Sequence, residues 1–123
     1  MITLTDRKFI KQAIKEAQKS EHNFRLGAIV VCSGNVVSRG FNFYTSHPSL
    51  VPSFGCSIHA EISALKKIKC KRRVTVYVAR ILSSGNPAIA KPCEHCTKYC
   101  KKKLVKRVVY TESNGNVGEL KVA

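Results

Sequence analysis

The chain has 123 residues, enough to close one core without disulfide staples, and its 44% apolar content is that of an ordinary globular protein. Twenty-two Lys and Arg against seven Asp and Glu give a net charge of +15, which favours an anionic partner such as nucleic acid or a nucleotide. No apolar run approaches the roughly 20 residues of a membrane span, and the charged start MITLTDRKFIKQAIKEAQ has no secretory h-region, so neither a membrane nor a secreted protein is expected. The expected compartment is the cytoplasm, with the nucleus open through KKIKCKRR.

Residues 5–19 read as a helix capped by Thr5 or Asp6, with Ile10, Ala13, Ile14 and Ala17 at helical spacing. A polar stretch, Ser20–Arg25, leads to β-rich runs at Gly27–Cys32 and Val36–Asn42, and Ser33-Gly34-Asn35 between them is a hairpin signal. A loop with Ser, Pro and aromatics runs from Phe43 to Cys56. A second helix is expected over 57–69, capped by Ser57, with Ile58, Ile62, Leu65 and Ile68 on one face. Val74–Ile81 is a third strand, Leu82–Lys91 a loop, and Pro92 starts a third helix. Lys106–Thr111 is a fourth strand, and Asn114-Gly115-Asn116 turns into a fifth, Val117–Val122. The order αββαβαββ, with no repeat and no linker, predicts one α/β domain over 1–123. Its architecture would be three-layer α-β-α around a mixed five-stranded sheet.

Six cysteines stand at 32, 56, 70, 93, 96 and 100. Without a secretory signal they read as reduced thiols, some of them metal ligands, rather than as a disulfide framework. Cys32, within IVVC, reads as a small core residue. Two motifs carry chemistry: His59-Ala60-Glu61 and Pro92-Cys93-Glu94-His95-Cys96, each opening a helix. Cys93 and Cys96 are three apart and share one helical face. With His59 they make three zinc ligands and leave a fourth place for water, the pattern of a catalytic rather than a structural zinc. Glu61, two residues from His59, can reach that water without ligating the metal, the place of a general acid/base.

These residues resemble the signature H-x-E…P-C-x-x-C of the cytidine deaminase-like zinc deaminases. The element order is similar to that family's fold over nearly the whole chain, and Gly40-Phe41-Asn42 resembles its glycine and asparagine ahead of the active-site loop. The resemblance implies one zinc per chain on His59, Cys93 and Cys96. It implies that Glu61 moves protons between water, ring N3 and the leaving ammonia. It also implies a contact of the Ala60 N–H with the base carbonyl, and of Asn42 with a sugar. The final strand, following a tight turn with no helix before it, resembles the free-nucleoside deaminases, whereas those usually have Cys where this chain has His59.

The expected reaction is conversion of cytosine to uracil in an anionic substrate, either single-stranded DNA or RNA or a pyrimidine nucleotide. Free cytidine is the alternative, and a zinc-stabilised nucleic-acid-binding module without catalysis is a reading of another class. A structural zinc ribbon would need a second close cysteine pair, and Cys32, Cys56, Cys70 and Cys100 supply none. Lys19, Arg25 and Lys91 are the loop cations nearest the expected pocket and are candidates for a substrate phosphate. Phe43, Tyr44 and Phe54 either stack on bases or belong to the core. Half of the basic residues fall in two clusters, Lys66–Arg73 and Lys101–Arg107, at the far ends of the two motif-bearing helices. About ten helical residues, roughly 15 Å, exceed the roughly 8 Å screening length of physiological salt, so these clusters do not act strongly at the metal. An oligomer is left open.

Overall fold

The computed structural model describes residues 2–20, 25–44, 57–58, 60–66, 68, 73–82, 84–90, 98, 100, 105–112 and 116–122. Helix α1 spans Leu4–Ala17. Its N-cap is Thr3, not Thr5 or Asp6: the Thr3 hydroxyl accepts from the Asp6 N–H (3.1 Å), and the Asp6 carboxylate accepts from the Thr3 N–H (3.0 Å). This reciprocal capping box satisfies two donors at the helix start. Asp6 is therefore the inner half of the cap, which is why reading a single capping residue from the sequence misplaced it by two or three positions.

Strands β1 (Arg25–Cys32) and β2 (Asn35–Phe41) form the expected hairpin. Its turn residues Ser33 and Gly34 have φ of 52° and 82°, the left-handed pair that a tight two-residue turn requires. The rest of the sheet comes from β5 (Val74–Ile81), β7 (Val105–Thr111) and β8 (Val117–Lys121). Its order is β2-β1-β5-β7-β8; β5 and β7 are parallel and the other neighbours antiparallel, giving the mixed five-strand core read from the sequence.

Four short elements depart from that reading. β3 (Phe43–Tyr44) pairs with β4 (Ser57–Ile58), so Ser57 belongs to a strand and does not cap a helix. Helix α2 is confined to Ala60–Leu65, half the expected length. Ile68 N–H reaches back three residues to Leu65 O (3.3 Å), a tightened end of the kind found where helices stop. β6 (Pro87–Ala88) lies within the expected 82–91 loop and pairs with the end of β5. Of the expected third helix, Lys98 and Cys100 are helical; residues 91–97, the turn 113–115 and the polar residues 21–24 lie outside the described residues.

Strand alternation splits the core into two layers. On one face Phe9, Ile10 and Ala13 of α1 pack on Ile29, Val31, Tyr77, Ala79 and Val109. On the other, Ala60, Ala64 and Leu65 of α2, together with Cys100, pack on Ala28, Val30, Val76, Val78 and Val108. Cys32 and Cys100 are buried in this second layer, as the IVVC run predicts for Cys32. Two glycines let the helices approach. A Cβ on Gly27 would stand 2.3 Å from Ala13 O and Ala17 N of α1, and one on Gly40 would stand 2.6 Å from Ala64 N of α2.

An ionic cluster fastens α1 across the sheet. Asp6, 3% exposed, accepts from the Tyr77 hydroxyl (2.6 Å) and from both terminal nitrogens of Arg107 (3.2 and 2.7 Å). Arg107 also holds Glu119 of β8 at 3.0 Å. Burial raises the Asp6 carboxyl, but the bonds from Arg107, Tyr77 and Thr3 outweigh it and hold the group far below the usual carboxylate range. Burial and then the Asp6 charge push the Tyr77 phenol upward. Arg107, grouped in the sequence with the second basic cluster, is thus the centre of a structural ion network. Among the described residues no helix is long and apolar enough to cross a membrane.

Candidate active site

Register places several expected residues at one end of the sheet. Arg25 lies opposite Ile81, Gly27 opposite Phe41, and Val78 of β5 runs beside Tyr110 of β7. The amino end of β1 therefore meets the carboxyl ends of β2, β5 and β7. In α/β sheets, the crevice at the carboxyl ends of parallel strands is the usual location for a ligand.

Asn42 follows β2 at this end and is 1% exposed. Its Oδ1 accepts the Leu26 N–H at 2.9 Å, while its own N–H and C=O bond to Leu26 O (3.1 Å) and the Ser20 hydroxyl (2.8 Å). With Oδ1 committed to the backbone, the amide nitrogen is oriented as the donor side. Arg25 opens β1 half-buried. Lys19, another expected phosphate ligand, instead pairs with Glu16 at 2.9 Å.

Ala60, the first residue of α2, is fully buried. The helix it starts is seated on β2 by two contacts. Its backbone meets Gly40, where Ala60 O would be 3.0 Å from an added Cβ, and Ser38 donates its hydroxyl to Ala64 O at 2.6 Å. The first turn, with Glu61, follows directly from this seat. His59, Cys93 and Cys96 lie outside the described residues, as do Phe54, Cys56, Cys70, Lys91, His22, His47 and His95. So do Lys67, Lys69, Lys71, Arg72 and Lys101–Lys103 of the basic clusters. The donor set of His59, Cys93 and Cys96, one imidazole and two thiolates, suits zinc.

The approach to Cys93 is described up to Ala90. Leu82 N–H bonds to Asn86 O (2.9 Å), Gly85 takes a φ of 90°, and the chain folds back as β6 along the end of β5. The buried Thr111, last in β7, then holds it. Thr111 Oγ1 accepts the Arg80 N–H (3.1 Å) and donates to Ala88 O (2.6 Å), and Thr111 O accepts the Ala90 N–H (2.9 Å). Nothing in the sequence singled out Thr111, because its role is a tertiary contact and its residue type fits any strand end.

Residues 3–112 match the family model described as the cytidine and deoxycytidylate deaminase zinc-binding region. No curated protein sequence matches the chain significantly. Among solved structures, the dCMP deaminase of cyanophage S-TIM5 in apo form is similar at 22% identity and a TM-score of 0.66, over 93% of this chain and 87% of that one. Its complex with dCMP and dUMP is similar at the same identity and TM-score, over 92% and 85%. The cytidine deaminase of Burkholderia pseudomallei is similar at 22% identity and a TM-score of 0.72, over 94% and 91%. At these identities the likeness is one of fold.

Proposed function

The chain belongs to the cytidine and deoxycytidylate deaminase zinc-binding family, and from that premise we propose that it deaminates the cytosine of an anionic substrate, a pyrimidine nucleotide or a single-stranded nucleic acid. The carrying observation is that Ala60, the centre of His59-Ala60-Glu61, is buried on Gly40, next to the sheet end toward which Thr111 holds the segment entering Pro92-Cys93.

His59, Cys93 and Cys96 would hold the zinc. When bound, zinc supplies a Lewis acid that makes water nucleophilic near neutral pH. Glu61 takes a proton as water adds to C4 of the base and passes it to ring N3. It then delivers a proton to the departing amine, so that cytosine and water become uracil and ammonia. The Ala60 N–H donates to the base carbonyl, fixing the ring against the start of α2. Asn42, its Oδ1 held by Leu26, would offer its amide nitrogen to a sugar oxygen. Arg25 would face a phosphate, and Phe54 a base.

The +15 charge favours the anionic substrate, and the related cyanophage enzyme has been seen with dCMP and dUMP. One observation favours free cytidine instead: β7 and β8 form an antiparallel pair, and among the described residues no helix stands between them, an end that resembles the free-nucleoside enzymes. Incubation with cytidine, dCMP and a single-stranded oligonucleotide, with uracil measured in each, separates these readings. Turnover of dCMP or the oligonucleotide well above that of cytidine is expected; faster turnover of cytidine would move the assignment to the nucleoside. Glu61→Ala should lower turnover about 10²–10⁴-fold with zinc retained. Activity within a few-fold of wild type would refute the proton-shuttle role, and salt-dependent oligonucleotide binding with no uracil from any substrate would support a non-catalytic module.

A further inference from the structure

Thr111 both accepts and donates a hydrogen bond through its hydroxyl at the site's end of the sheet. It is 2% exposed and lies where the parallel strands β5 and β7 finish. There its side chain takes the place of a backbone ladder. The hydroxyl accepts the Arg80 N–H from β5 at 3.1 Å and donates its one proton to Ala88 O of β6 at 2.6 Å. Its own carbonyl accepts the Ala90 N–H at 2.9 Å. Three elements are thereby joined through one residue. The segment 88–90, which crosses the carboxyl ends of the two strands, is bonded to Thr111 at both its first and its last residue. Ala90 is also 3% exposed and packed in the α2-side core, so the segment is held by polar and apolar contacts together.

Cys93 follows Ala90 by three residues, a reach of about 11 Å at most. We propose that Thr111 is a positioning residue that fixes the main chain entering Cys93 and Cys96, and so sets how tightly the chain holds zinc. The inference rests on the assignment of those cysteines as zinc ligands. Thr111 itself does not touch the reacting groups. Its hydroxyl acts on the backbone at Ala88, and the backbone carries the effect forward. Removal of the hydroxyl leaves Ala88 O and the Arg80 N–H competing for water at a buried strand end, and the 88–90 crossing loses one of its two ties to β7.

The test compares wild type with Thr111→Val, which keeps the shape and deletes the hydroxyl, and Thr111→Ser, which keeps the hydroxyl. Thr75→Val deletes a hydroxyl of another buried residue, near the opposite end of β5, and serves as the control. Each full-length protein is titrated with zinc against a chromophoric chelator, and its thermal unfolding is recorded with and without the metal. Loss of groups that orient metal ligands typically costs about 10- to 100-fold in affinity. A weakening of that order is expected for Thr111→Val, with a smaller zinc-induced rise in Tm. Thr111→Ser should stay within about threefold of wild type, and Thr75→Val should bind zinc as wild type does. Zinc affinity of Thr111→Val within twofold of wild type would overturn the proposal, even where the variant is less stable. So would equal weakening in Thr75→Val, which would mark a general loss of stability. A wild type that binds no zinc, or binds it unchanged when Cys93 is replaced by Ala, would overturn the ligand assignment and this inference with it. Zinc bound through Cys93 but indifferent to Thr111 would overturn this inference alone.

Discussion

Replacing Asp6 by Asn is the sharpest test of how the α1 layer is held. The amide has nearly the shape of the carboxylate but no charge, and its nitrogen is a donor turned toward other donors. In the native chain the two carboxylate oxygens accept from Tyr77, from both terminal nitrogens of Arg107 and from the Thr3 N–H. Breaking a buried pair by removing one partner costs about 3–5 kcal/mol. The Arg107 side chain is 23% exposed and keeps Glu119, so about 2–3 kcal/mol is expected here, at or below the bottom of that range. For a chain of this size that corresponds to a fall in Tm of about 10 °C. The folded carboxyl lies far below its ordinary value, so near pH 4 the unfolded state takes up a proton that the folded state refuses. The stabilisation is complete well above pH 4 and is lost progressively as pH falls below about 4 toward the folded pKa, at up to about 1.4 kcal/mol per pH unit. Urea unfolding of both proteins at pH 7 and at steps down to pH 2.5 checks this. The wild type should lead at pH 7, and the gap should close on acidification. A gap that stays constant to pH 2.5, or equal stability at pH 7, would refute the reasoning.

Three further outcomes are expected. Gly40→Ala places a Cβ 2.6 Å from Ala64 N and must push α2 off β2; a loss of about 1–3 kcal/mol accompanied by lower zinc content is expected from chemical denaturation and metal analysis, and native zinc content would show that the seat of α2 does not matter to the site. Cys93→Ala should purify without stoichiometric zinc while wild type carries one per chain, and an unchanged metal content would remove Cys93 from the ligand set. Oligonucleotide binding should weaken steeply with salt, because each neutralised phosphate releases counterions; a flat dependence of log affinity on log salt would separate the +15 charge from substrate binding.

The long strands were legible because their signals are local. Val74–Ile81 reads as a buried β-branched run, and the Ser33-Gly34 turn is written in residues that tolerate positive φ. The length of α2 was not legible, since Ser57 and Ile58 carry a helix-compatible pattern and were drawn into a strand by pairing with Phe43 and Tyr44, more than a dozen positions away. Arg107 was unreadable for the same reason at greater range: its partner Asp6 is 101 residues distant, and in sequence it stands among lysines that suggest a solvated surface. Of the candidate site, the residues proposed as zinc ligands and proton shuttle stand out as motifs because metal chemistry restricts residue type and spacing. The supports beneath them, Ser38, Gly40 and Thr111, were not singled out as supports, since a small residue or a hydroxyl in a strand is common for many reasons.

The two faces of the sheet are held by different physics, and the difference bears on function. The α1 face is fastened by a charged cluster whose strength depends on pH and on every partner being present. The α2 face is fastened by close approach of backbone to backbone at Gly40 and by single neutral hydrogen bonds from Ser38 and Thr111. The Ser38 and Thr111 hydroxyls are themselves uncharged. A guanidinium or carboxylate cluster within a few ångströms of the zinc ligands would shift the protonation of the thiolates and of Glu61, whose pKa values the proposed chemistry depends on. Among the described residues the ionic fastening of Asp6, Tyr77, Arg107 and Glu119 lies on the α1 side, with the sheet between it and Ala60.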